Sequence, residues 1–192
     1  MRASSLAITD RPLVARRSAV VRTSQSAVLD LADEIGAALD GPVEAKAARI
    51  VSALRLAAGS PDLLSADQVV PRTECYARHA LHADPEGRFT VLALVWGPGQ
   101  LSPVHAHHTW CAYAMRSGVL TETLYRFDSE AAVAVASRTE ARRAGHACHG
   151  EAGLDQIHCL GNAGTEPAIS IHVYGVEAAR IATGVNRVLA GG

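Results

Sequence analysis

From about Thr73 onward the chain gives up helical spacing for short apolar runs of period two: Phe89–Trp96, Trp110–Met115, Leu120–Tyr125, Ala132–Ala136 and Ala168–Tyr174. Clusters of Gly, Pro, Asp and Asn separate these runs. Successive side chains of a strand point to opposite faces, so each run can bury one face against a core. Many short strands with close turn signals predict an all-β sandwich or barrel. The Arg- and Ala-rich stretch 138–147 reads as a surface loop.

Upstream of that point the period is 3.6. Val28, Leu31, Ile35 and Leu39 recur at helical steps from Ser26 until Gly41-Pro42 ends the pattern. Val43, Ala47, Ile50, Val51 and Leu54 form the apolar face of a second helix, with Pro42 at its first turn and Gly59 as its stop. Ser60-Pro61 opens a short third helix. These helices are alanine-rich and narrow in their apolar stripe, which suits a cap packed on something larger. Residues 1–25 hold Arg2, Arg11, Arg16, Arg17 and Arg22 against one acid, Asp10, with no continuous apolar core, and read as a flexible arm. The expected organisation is an arm over 1–25 and one domain over 26–192, with a helical cap at 26–70 and a β-barrel at 73–192.

Charge and cysteine usage narrow the function. Eighteen basic and nineteen acidic residues leave a net charge of −1, so nothing points to nucleic acid or a membrane surface as partner. No apolar run approaches the roughly 20 residues of a membrane span. Cys75, Cys111, Cys148 and Cys159 show no CxxC spacing, which in a chain of 192 residues indicates free thiols and a cytoplasmic setting. Lys46 is the only lysine, and with the abundant alanine this suggests a bacterial, GC-rich source.

The remaining oddity is nine histidines. His105 and His107 stand at i and i+2, so a strand would project both to one side, where two imidazoles suit a borderline metal such as Fe, Zn, Ni or Cu. The series Gly99, His105, His107, Cys111, Gly118 has the spacing of the first cupin motif, with Cys111 where that motif carries Glu. His158 and Asn162 have the spacing of the second, without its usual Pro-x-Gly lead-in. Three neutral ligands keep the full charge of a divalent metal, which favours an anionic, metal-ligating substrate. His146, Cys148 and His149 form a further cluster in an Arg- and Gly-rich loop, without a second ligand pair.

With Tyr76-Ala-Arg78, Trp96-Gly-Pro-Gly-Gln100 and Thr165 to Tyr174 added, the chain resembles the cysteine dioxygenase family of cupin-fold thiol dioxygenases, as a bacterial member with arginine at the carboxylate-binding position. The resemblance implies a mainly β cupin, a jelly-roll barrel with an N-terminal helical cap. It implies Fe(II) on His105, His107 and His158, and a relay of Ser170, His172 and Tyr174 beside the bound ligands. It also implies a carboxylate clamp at Arg78 supported by Tyr76, with Trp110 in the pocket wall. The implied reaction adds both atoms of O2 to the sulfur of a small thiol carboxylate, L-cysteine going to its sulfinate. Relatives selective for 3-mercaptopropionate have Gln in place of Arg78 and a later arginine, here near Thr183. Arg180 and Arg187 keep that thiol, or mercaptosuccinate, as an alternative. A non-oxygenase metal cupin, either an isomerase or a ligand-binding module, is the reading from another class. Animal members join the cysteine at the Cys111 position to the relay tyrosine, so Cys111 and Tyr174 could form a thioether; the other reading is a small buried free thiol.

Overall fold

The computed structural model describes residues 24–191. Most of the expected arm therefore lies outside the described residues, but its last two positions do not: Ser24 already begins helix α1, Ser24–Leu39. Asp40-Gly41-Pro42 ends α1, and Pro42, with no amide proton to leave unpaired, precedes α2 at Val43–Ala58. The expected third helix is two short 3₁₀ turns, Pro61–Leu63 and Ala66–Val69. Leu31, Ile35, Ile50 and Leu54 are the buried seam of the cap, and each contributes roughly 1.5–3 kcal/mol of apolar burial. Val43, placed on that face by its spacing, is instead exposed at the helix start.

Ten strands follow: β1 Ala77–Ala83, β2 Thr90–Trp96, β3 His105–His107, β4 Cys111–Ser117, β5 Val119–Asp128, β6 Val133–Arg143, β7 Ala147–Gly150, β8 Gly153–Gly161, β9 Ala168–Tyr174 and β10 Asn186–Val188. They form two five-stranded sheets, in the orders β1-β2-β9-β4-β7 and β10-β3-β8-β5-β6, with every pairing between strands antiparallel. This is the jelly-roll cupin barrel with its helical cap, as expected. The stretch 138–147 is not a loop: β6 runs through Arg143 and β7 starts at Ala147. β6 ends its sheet, so both faces see solvent along much of its length, and its composition became polar without its ceasing to be a strand.

β2 and β9 are buried at every position because the first sheet has two covered faces. Val91, Ala93, Val95, Ile169, Ile171 and Val173 face the helices, while Leu92, Leu94, Trp96 and Tyr174 belong to the barrel interior. Arg116 at the end of β4 ties the cap down by donating to the carbonyls of Ala58, Ser60 and Pro61 at the end of α2, where cationic donors are favoured. Gly118 turns β4 into β5 at φ +70°, where a side chain would also strike Ala168, so the motif glycine has two physical reasons to be glycine.

Candidate metal centre

Three histidines meet inside the barrel. β3 projects His105 and His107, and its antiparallel partner β8 sets His158 opposite His105. All three are buried, and their ligand nitrogens lie within 4.8 Å of one another. It is the only such group of metal-capable side chains among the described residues. Each ring is held from behind through Nδ1: His105 faces the Pro103 carbonyl at 2.9 Å, His107 the Cys111 sulfur at 3.3 Å, and His158 the Glu122 carboxylate at 2.6 Å. That leaves the Nε2 atoms for a ligand. His158 Nε2 is buried with no hydrogen-bond partner, which is costly in a dry interior unless something binds it.

Burial, reinforced by the neighbouring imidazoles, pushes His105 down to about 4 and His107 down to about 2. Neutral imidazole is the form that ligates, so the site fits a divalent metal of nitrogen preference. Burial alone would raise the Glu122 carboxyl, but the hydrogen bonds from His158 and Arg142 overcome it and bring it down to about 2. Arg142 Nε donates to Glu122 at 2.6 Å and the Tyr113 hydroxyl donates at 3.2 Å. Sequence reasoning missed this carboxylate. Its only signal is an acid at an inward position of β5, beside Leu120.

The three polar residues of β9 form a hydrogen-bonded chain. Ser170, His172 and Tyr174 share the inner face of β9, with Ser170 Oγ 2.8 Å from His172 Nε2 and His172 Nδ1 3.1 Å from the Tyr174 oxygen. Burial pushes His172 down to about 3 and the Tyr174 hydroxyl upward, so both are neutral. Arg78 and Tyr76 lie at the more exposed mouth of the same pocket, where Arg78 donates to the Tyr76 oxygen at 2.8 Å. Tyr76 stacks on Trp96, ring centres 4.2 Å apart. No Asp or Glu lines the pocket among the described residues.

Cys111 lies directly opposite Tyr174 in the β4–β9 pairing, and both are buried in the inner core. Trp110 is a correction. It does not line the pocket: its neighbour Cys111 faces in, so Trp110 faces out, stacks on His149 and lies over Gly175, where a side chain would collide with the indole. Cys148 sits in the interior near Tyr113 while His149 stacks outside, so the cluster at 146–149 does not converge on a metal. His108 is exposed, and Cys159 turns to the Ser102 carbonyl.

The family model for cysteine dioxygenase type I matches residues 70–181, more than half of the chain. Human cysteine dioxygenase type 1 is 29% identical over 92 residues, which covers 46% of this chain and 45% of the human protein. The rat enzyme is 28% identical over the same length, with the same coverage. The chain thus spans about half the length of the curated relatives it matches. Solved structures with a similar fold include a conserved protein with a double-stranded beta-helix domain from Klebsiella pneumoniae, at TM-score 0.47 and 20% identity over 62% of this chain and 94% of that one. Another is a cupin 2 conserved barrel domain protein from Salinispora arenicola, at TM-score 0.44 and 18% identity over 64% and 94%. With the matched segment running from before Tyr76 and Arg78 to beyond Tyr174, and with all three histidines inside it, the chain belongs to the cysteine dioxygenase type I family.

Proposed function

We propose that the protein is an iron-dependent thiol dioxygenase that converts a small thiol carboxylate, L-cysteine first, to its sulfinate. The observation that carries this reading is the meeting in one pocket of the three-histidine set, the Ser170–His172–Tyr174 chain and Arg78. Iron held by His105, His107 and His158 would supply thiolate ligation and the activation of O2. Arg78 offers a planar fork of donors to the substrate carboxylate, and Tyr76, stacked on Trp96, limits its swing. With no acidic side chain in the lining, an anionic substrate meets imidazoles and one guanidinium, and its charge is offset on entry. Tyr174 places a neutral hydroxyl beside His107, ring centres 6.1 Å apart, where it can hydrogen-bond a ligand of the metal.

The choice of L-cysteine is supported by what surrounds the mouth. Ile181, Val185 and Asn186 line the pocket, and neither Arg180 nor Arg187 does, so Arg78 is the single guanidinium in the lining. On this reading the partners are a small thiol and O2, with no role for nucleic acid or a membrane. No helix among the described residues is long and apolar enough to cross one. Oxygen uptake by the Fe(II)-loaded protein, compared for L-cysteine, 3-mercaptopropionate and mercaptosuccinate, tests the reading. Uptake fastest with L-cysteine, and both labelled oxygens in the sulfinate when isotopic O2 is used, is the expected result. Preference for either other thiol would move the substrate; silence with all three would favour a non-oxygenase cupin.

A further inference from the structure

The relay on β9 does not begin at Ser170. Ser170 is fully buried, and its oxygen lies 2.9 Å from Trp96 Nε1 as well as 2.8 Å from His172 Nε2. An indole nitrogen can only donate, so Ser170 Oγ accepts from Trp96. The serine proton then has one acceptor in reach among the described residues, His172 Nε2. A neutral imidazole carries one donor and one acceptor nitrogen. If Nε2 accepts, Nδ1 holds the proton and donates to the Tyr174 oxygen at 3.1 Å. The Tyr174 proton is then unused by the chain and available to the pocket.

The opposite tautomer would give Ser170 two incoming N–H groups and leave its own buried proton with no acceptor, an arrangement that folded proteins avoid. Without the indole N–H the two tautomers each leave one serine valence unsatisfied, and the preference disappears. We propose that Trp96 is a positioning residue that sets the direction of the relay: its N–H fixes His172 as the Nδ1–H tautomer and turns Tyr174 into a donor toward the pocket. The same indole stacks on Tyr76, the acceptor of Arg78, so one side chain braces both the relay and the carboxylate clamp. This deepens the proposed function and rests on it for the use of the Tyr174 proton, while the tautomer is a property of the chain alone.

Long-range 1H–15N correlation spectra of the full-length chain, free of paramagnetic metal, read the tautomer directly, with His172 assigned by its loss in His172→Gln. The wild type is expected to show a protonated Nδ1 and a bare Nε2. Trp96→Phe keeps an aromatic ring near Tyr76 and removes the donor along with the rest of the buried pyrrole ring. Its two His172 nitrogens should move toward each other as the tautomers mix. In the iron-loaded enzyme the same variant should lose about tenfold in kcat, as expected for one hydrogen bond, with KM for L-cysteine little changed. If Trp96→Phe does not fold, Ser170→Ala breaks the same link and should mix the tautomers likewise. A protonated Nε2 in the wild type, or an unmixed Nδ1–H form in the folded variant, overturns the proposal. An enzyme silent toward every thiol but with the Nδ1–H spectrum would overturn the function and leave the tautomer assignment standing.

Discussion

Glu122 Oε1 accepts from His158 Nδ1 at 2.6 Å, leaving the Nε2 of that ring without a hydrogen-bond partner. The carboxylate holds the ring orientation and would make His158 a stronger metal ligand, while Arg142 and Tyr113 keep the carboxylate itself in place. Glu122→Gln keeps the shape and removes the charge. Iron affinity should fall about 10- to 100-fold, measured by competition with a chelator, with the far-ultraviolet spectrum unchanged. Unaltered affinity would mean that Glu122 serves only the packing of β5.

Arg78 makes a different prediction, because it stands at the mouth of the pocket and touches none of the histidines by hydrogen bond. Arg78→Gln should raise KM for L-cysteine by about ten- to hundredfold, the value of a charge-assisted hydrogen bond, and leave iron content as it was. Parallel loss of iron and turnover would make Arg78 a structural residue.

The shared faces of His105 with His107, and of Ser170 with His172 and Tyr174, were legible because period two places i and i+2 on one side of a strand. His158 and the roles of the β9 residues were legible only through the motif spacing and the family resemblance. Alternation also speaks against Trp110 in the pocket, since Cys111 next to it points inward. Glu122 and Trp96 were not legible as site residues. Their partners His158 and Ser170 lie 36 and 74 positions away. Those contacts depend on how β5 pairs with β8 and β2 with β9, and no local pattern encodes that register. The strand through 138–143 was hidden for another reason: an exposed end strand needs no apolar face to pair.

Cys111 and Tyr174 face each other across two neighbouring strands, with Tyr174 beside the histidine set. We propose that turnover joins them. A bond forms between Sγ and the ring carbon next to the phenol oxygen, the S–H and that C–H break, and O2 takes up the two electrons and two protons. Intact mass after turnover should fall by two hydrogens per chain and stay there under a thiol reductant, which separates a thioether from a Cys111–Cys148 disulfide. Cys111→Ala should show no such loss. An unchanged mass in fully turned-over wild type would leave Cys111 as a buried thiol whose role is its contact with His107.

Asp84 gives a test of pH dependence remote from the metal. Its carboxylate, in the turn between β1 and β2, accepts from Arg88 three times, from the backbone N and Nε to Oδ2 and from Nη2 to Oδ1, each at 3.0 Å. The Arg88 side chain holds the carboxyl below its ordinary value, against the opposing effect of burial. Between that lowered value and the unfolded one of ~3.9 the unfolded chain binds more protons than the native one, so stability rises with pH across that window. The contribution is complete above it and is lost as pH falls through the folded value. Asp84→Asn should therefore lower Tm at pH 7 by about 2–4 °C. The gap to wild type should close in acid, where the wild-type carboxyl is protonated and as uncharged as the amide. A gap that stays constant from neutral pH into acid would assign the loss to the shape of the turn and not to the charge of Asp84.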